Sequence, residues 1–80
     1  MKINCLRCKK CGDIIYSRAR YDFHYCTCQS CFVDGGMDYF RYGGDLENFE
    51  TLEMELDVER KDLYNDYNLG IDNLGIIKDK

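Results

Sequence analysis

Six cysteines fall in two triplets, CLRCKKC at 5–11 and CTCQSC at 26–31, in a chain of 80 residues. A chain this short buries too little apolar surface to rely on its core alone, and calls for disulfides, a metal or a partner. The opening MKINCLRCKK has no apolar h-region and no small-residue cleavage site, so we expect no export. Thiols stay reduced in the cytosol, where clustered cysteines read as metal ligands. No run approaches the roughly 18 apolar residues of a membrane span. The expectation is a soluble cytoplasmic protein with no membrane partner.

Cys8-Lys9-Lys10-Cys11-Gly12 has the chemistry of a zinc knuckle. A two-residue spacing lets both thiolates face one ion about 2.3 Å away, and the glycine lets backbone amides turn inward. The second triplet leaves three pairings open: Cys26 with Cys28, Cys28 with Cys31, or Cys26 with Cys31. An iron–sulfur cluster is the rival, because CLRCKKC matches the opening of a ferredoxin run. That run then fails, with no cysteine at the next x3 position and no proline. Structural Zn2+ is the cofactor expected. His24, between Phe23 and Tyr25, reads as a packing residue rather than a ligand.

Along the chain, residues 1–44 read as a zinc-ribbon-like β unit and 45–80 as an acidic extension packed on it as one domain. DIIYSR (13–18) has the β-branched content of a strand, and DFHYC (22–26) brings aromatics up to the second triplet. CFVDGGMDYFRY (31–42) reads as a hairpin turning at Asp34-Gly35-Gly36, since type I′ turns need residues tolerant of positive φ. Asp45 is placed to cap the next element. Leu52, Met54, Leu56 and Val58 alternate with Glu53, Glu55, Asp57 and Glu59, which predicts a strand over 51–58. A helix from Asp45 is the competitor. The repeat NLGID, NLGII (68–77) predicts a turn-rich tail whose Leu and Ile side chains dock on the body. The fold class is thus a small zinc-stapled, mainly-β domain: a zinc ribbon with a β-hairpin and an added acidic strand or helix.

CKKCGDII (8–15), Asp22-Phe23, CTC (26–28) and VDGGMDYFR (33–41) resemble a family of short bacterial and prophage proteins, a domain of unknown function. Its pattern runs C-x2-C-G-D-I-I, C-x-C-G, V-D-G-G-x-D-Y-L-R over about residues 5–44. The resemblance implies a zinc-ribbon-like fold, a bacterial host cell and no activity. It places the ligands on Cys8, Cys11, Cys26 and Cys28. The family's glycine after the second pair is Gln29 here, which leaves room for Cys31 to replace Cys28.

Charge divides the molecule. Residues 1–31 carry six Lys/Arg against two Asp, whereas 32–80 carry five against thirteen Asp/Glu. Lys2, Arg7, Lys9, Lys10, Arg18 and Arg20 with Tyr16, Tyr21, Phe23 and Tyr25 suit a nucleic-acid-binding ribbon. A pI near 4.8 opposes that use. Carboxylates at alternate strand positions recur every 6.6–6.8 Å or so, approximating the phosphate spacing of one strand. Asp34 and Asp38 could be imagined as a catalytic pair, but the turn already explains Asp34, and we expect no enzyme and no small-molecule substrate. The expected function is a zinc-stapled protein-interaction module, in its sharpest form a prophage accessory protein or inhibitor of a host or defence protein. Its contact residues would be Tyr39, Phe40, Tyr42, Glu53, Glu55, Asp57 and Glu59. The alternatives are the nucleic-acid-binding ribbon, and a redox or metal sensor using Cys5 and Cys31.

Overall fold

The computed structural model describes residues 1–36 and 39–77. At its centre is a strand, β1 (Lys2–Cys8), that is buried on both faces. Ile3 and Cys5 point to one side, Leu6 and Cys8 to the other, so its apolar residues do not alternate with polar ones. The chain turns back after Cys8 into β2 (Ile14–Ile15), with Leu6 opposite Ile15 and Arg7 opposite Ile14. The other edge of β1 is taken by β6 (Phe49–Glu55), antiparallel from Lys2 opposite Glu55 to Cys8 opposite Phe49. With β7 (Ile76–Ile77) on β2, the sheet order is β6-β1-β2-β7.

A second antiparallel sheet, β3-β4-β5, is formed by β3 (His24–Tyr25), β4 (Cys31–Asp34) and β5 (Arg41–Gly44). The two faces of β1 organise two apolar clusters. Leu6, Cys8 and Ile15 meet Cys26, Cys31 and Val33 of the smaller sheet, closed by Phe49. Ile3, Cys5 and Tyr16 meet Leu63 of the helix α1 (Arg60–Asn68), with Leu52, Met54 and Leu56 at the margin. The fold is mainly β, as the sequence predicts, and consists of two antiparallel sheets and one short helix among the described residues.

Several local expectations are corrected. The strand expected over 51–58 runs from Phe49 to Glu55, pairing with β1 as far as Lys2, and Leu56 exchanges hydrogen bonds with Met1 just past it. Asp57 and Glu59 therefore lie off the ladder, and Glu59 is the N-cap of α1, where the Asp62 carboxylate accepts from its amide at 2.9 Å. The competing helix from Asp45 shrinks to a 3-10 turn, Leu46–Asn48, capped by Asp45 as expected. The 31–42 hairpin forms, but without a two-residue turn. Asp34 pairs with Arg41, and the loop begins at Gly35 and Gly36, both at positive φ. Asp38, the second member of the imagined carboxylate pair, lies outside the described residues. The strand expected over 13–18 stops at Ile15. In the tail, the second copy of the repeat docks through Leu74 and Ile76, while Leu69 and Ile71 of the first stay exposed.

Between β2 and β3 lies Arg18, which is 9 % exposed and ion-paired to Asp22, Asp66 and Asp72 at 2.7, 2.8 and 2.9 Å. Asp66 sits on α1 and also accepts from the amides of Asn73 and Leu74. The Tyr67 ring lies 5.4 Å from the guanidinium carbon. One buried cation thus ties the first half of the chain to the helix and the tail.

Candidate metal centre

Two hairpin turns face each other across the first apolar cluster. The first joins β1 to β2: the Cys8 amide donates to the Asp13 carbonyl at 2.8 Å and the Gly12 amide to the Cys8 carbonyl at 2.9 Å. Gly12 takes φ +79, the left-handed conformation that a Cβ disfavours. The tight turn also aims the Cys11 amide at Cys8 Sγ, 3.5 Å away. The second turn joins β3 to β4. It is closed by the Cys26 amide on the Cys31 carbonyl at 3.1 Å and the Gln29 amide on the Cys26 carbonyl at 2.9 Å.

These turns bring the sulfurs of Cys8, Cys11, Cys26 and Cys28 within 4.8 Å of one another. Cys28 Sγ lies 3.5 Å from Cys8 Sγ and 3.6 Å from Cys26 Sγ. A tetrahedral ion with thiolates at about 2.3 Å sets its sulfurs about 3.8 Å apart, so the four donors fit one metal of that size. Four sulfurs are a soft donor set compatible with zinc. Bound there, the ion would cross-link the two turns. The site is buried on the Cys8 and Cys26 side and open at Cys28. The Ser30 hydroxyl, 3.1 Å from Cys28 Sγ, together with its amide holds the Cys28 thiol down to about 6.

Asp13 couples the two turns, and sequence reasoning misses it. Its carboxylate is buried and accepts from both the amide (3.0 Å) and the hydroxyl of Thr27, the residue between Cys26 and Cys28. The signal available is a carboxylate next to the knuckle glycine and a hydroxyl between two ligands. Outer partners that orient ligand loops typically support metal affinity by 10–100-fold. Asp13→Ala is therefore expected to weaken metal binding by about that factor, read by competition against a chromophoric chelator, with Thr27→Val losing less.

Gln29 adopts φ +62, so the second turn keeps the backbone conformation of a glycine despite its side chain. The left-handed region costs an L-residue roughly 1–2 kcal/mol, part of which glycine returns through its more mobile unfolded state. Gln29→Gly is expected to stabilise the metal-loaded protein by about 1 kcal/mol, a rise of roughly 4–8 °C in melting temperature. Gln29→Val should move it the other way.

With that turn intact, Cys28 completes the cluster. Cys31 instead starts β4 with its side chain in the apolar core, where burial pushes its thiol up. Cys5 is equally buried in the second cluster, its thiol raised to about 11 by burial and 3.4 Å from the Ile3 carbonyl. Both are held as thiols, the less reactive form. His24 stands apart from the cluster, its ring nitrogens 3.1 Å from Asp22 Oδ1 and 3.0 Å from the Gly75 carbonyl.

The expected contact residues divide into two groups. Tyr39 and Tyr42 are exposed, and Phe40 is partly buried against the first cluster. Arg20 and Arg41 hold their guanidinium groups over the Tyr39 ring. Glu53 and Glu55 are exposed on β6, Asp57 follows the strand and Glu59 caps the helix. Phe40, Tyr42, Thr51 and Glu53 line a single groove of about 380 Å³ with Asn4 and Leu52. Of the basic and aromatic set, Arg18 and Tyr16 are buried, and Arg7 pairs with Glu50 at 3.2 Å. Lys9, Lys10, Tyr21, Phe23 and Tyr25 remain exposed. No helix among the described residues is long and apolar enough to cross a membrane.

Compared with known proteins, residues 1–44 match the model of a family described as a domain of unknown function, DUF7695. No curated protein and no solved structure matches the chain.

Proposed function

Because the chain belongs to that family, whose description carries no activity to transfer, we propose from its own geometry a non-enzymatic, zinc-stapled protein-interaction module. The observation that carries this reading is the set of four sulfurs within 4.8 Å of one another between the two turns, enough to fill a tetrahedral ion's coordination. Structural zinc sites are closed by four protein ligands, whereas catalytic ones keep a position open for water or substrate. An ion held there positions surfaces instead of reacting. The surface it supports is the acidic face of β6 with the aromatic side chains of the neighbouring hairpin, which together frame the groove of Phe40, Tyr42 and Glu53. A partner with a basic surface suits that face.

The resemblance to short prophage proteins narrows the proposed partner to a host or defence protein in a bacterial cytoplasm, with the chain as accessory or inhibitor. Affinity capture with the zinc-loaded protein should recover one defined bacterial protein. Reversing Glu53, Glu55 and Asp57 to Lys should lose it. Recovery of no defined protein, or of one indifferent to those reversals, overturns the reading.

A nucleic-acid-binding ribbon is the second reading, favoured by the exposed Lys9 and Lys10 and by the exposed Phe23 and Tyr25 rings, which pack edge to face. It requires retardation of single- or double-stranded DNA or RNA at low salt that is lost when both lysines become Gln.

A further inference from the structure

The outer edge of β6 carries no partner strand among the described residues. The register shows which of its backbone groups face outward. Leu56 and Met1 exchange hydrogen bonds at one end of the ladder, Leu56 amide to Met1 carbonyl at 2.9 Å and Met1 nitrogen to Leu56 carbonyl at 2.9 Å. At the other end the Lys9 amide donates to the Asn48 carbonyl at 2.6 Å. Hydrogen-bonded and non-hydrogen-bonded pairs alternate along an antiparallel ladder. The bonded pairs between these ends are therefore Met54 with Ile3, Leu52 with Cys5 and Glu50 with Arg7. The amides and carbonyls of Thr51, Glu53 and Glu55 must then point away from β1, into the free edge.

The same three residues are exposed, whereas Leu52 and Met54 face the second apolar cluster. Side chains at 51, 53 and 55 share one face, and the groove of Phe40 and Tyr42 opens on that face beside Thr51 and Glu53. Backbone donors and acceptors, two carboxylates two residues apart and an aromatic groove thus lie along one short line. Carboxylates on an edge strand also guard against self-pairing, since a second copy would bring acid against acid.

We propose that β6 is a strand-addition site for an extended basic segment of a partner protein. In the antiparallel sense the segment reads basic, any, basic, any, apolar or aromatic. Its cations lie opposite Glu55 and Glu53, and its apolar side chain lies over Thr51 beside the Phe40–Tyr42 groove. Main-chain hydrogen bonds supply affinity and the alternate side chains supply selectivity. The proposal rests on the protein-interaction reading and adds how the partner is held.

The test uses the full zinc-loaded chain and two synthetic peptides of equal charge. One is Thr-Lys-Val-Lys-Thr-Phe-Thr, and the other has the same sequence with the backbone nitrogen of the second lysine, the residue opposite Glu53, methylated, so that the net charge is unchanged. Residues opposite Thr51, Glu53 and Glu55 aim their amides at β6, so methylation there removes a ladder donor. The first peptide should slow amide hydrogen exchange at Thr51, Glu53 and Glu55 at least tenfold, and the methylated peptide should not. Glu53→Gln with Glu55→Gln should weaken the first peptide's binding about tenfold and leave the melting temperature in place. Equal binding of both peptides, or protection absent from those three amides, overturns strand addition. A captured partner that stays sensitive to charge reversal under that outcome leaves the interaction reading standing, whereas loss of the partner itself sinks that reading first.

Discussion

Stripping the metal from the loaded protein with a strong chelator is expected to abolish its cooperative melting transition and unfold at least residues 1–44. Apparent binding energies for structural zinc sites are about 10–16 kcal/mol, against a whole-domain stability of about 5–15 kcal/mol. Two of the candidate ligands are also part of the core: Cys8 and Cys26 belong to the same buried cluster as Leu6, Ile15 and Val33. Losing the ion would leave several thiols without a shared partner at the junction of the two sheets. Circular dichroism and thermal melting, with and without chelator, check this, and an apo protein that melts unchanged contradicts a structural role. Because the ligands bind as thiolates, acidification should release the metal and zinc re-addition at neutral pH should restore the transition.

Replacing Arg18 should have the next largest effect. Arg18→Leu removes the cation that serves two buried carboxylates, Asp22 and Asp66, and the exposed Asp72. Breaking a buried pair from one side typically costs about 3–5 kcal/mol, here a fall of more than about 12 °C in melting temperature. Asp72→Asn, at the solvent-exposed arm, should cost under about 1 kcal/mol and serves as the control. The pH dependence carries a sign. Burial alone would raise Asp22 and Asp66, but hydrogen bonds from His24 and Arg18 to Asp22 override it, as do those from Arg18, Leu74 and Asn73 to Asp66. Both carboxyls are held below their usual range. A depressed folded value means the stabilisation is present above the unfolded value of about 3.9 and is lost as pH falls through the folded one. In Arg18→Leu the orphaned carboxylates are relieved by protonation instead. The stability gap between wild type and variant, measured by urea unfolding, should therefore shrink on acidification.

Much of the architecture can be read from the chain, and the rest is hidden for identifiable reasons. The two turns are legible because ligand spacing constrains them, and β6 because Glu53 and Glu55 alternate with Leu52 and Met54. β1 is not, since Cys5 and Leu6 are buried in succession on opposite faces and the run looks like a ligand loop. α1 is hidden by its polarity: in RKDLYNDYN only Leu63 and Asp66 are buried, so no apolar stripe marks it. Arg18 reads as a surface cation because two of its three partners, Asp66 and Asp72, lie 48 and 54 residues away. Cysteine spacing alone leaves the fourth ligand open, and the second turn, left-handed at Gln29, brings the Cys28 sulfur to those of Cys8, Cys11 and Cys26. A sequence shows that glycine is missing there but not that the turn tolerates its loss.

The order of strands in the larger sheet has a consequence for how the molecule assembles. Its members come from residues 2–8, 14–15, 49–55 and 76–77, so closing it means joining segments from opposite ends of the described chain. Loop closure over such separations is the slow part of β folding. The four sulfurs, by contrast, lie between residues 8 and 28. During synthesis, the ligand set is complete long before the last strand emerges. An ion captured at that stage would hold the two turns together while β1 waits for β6.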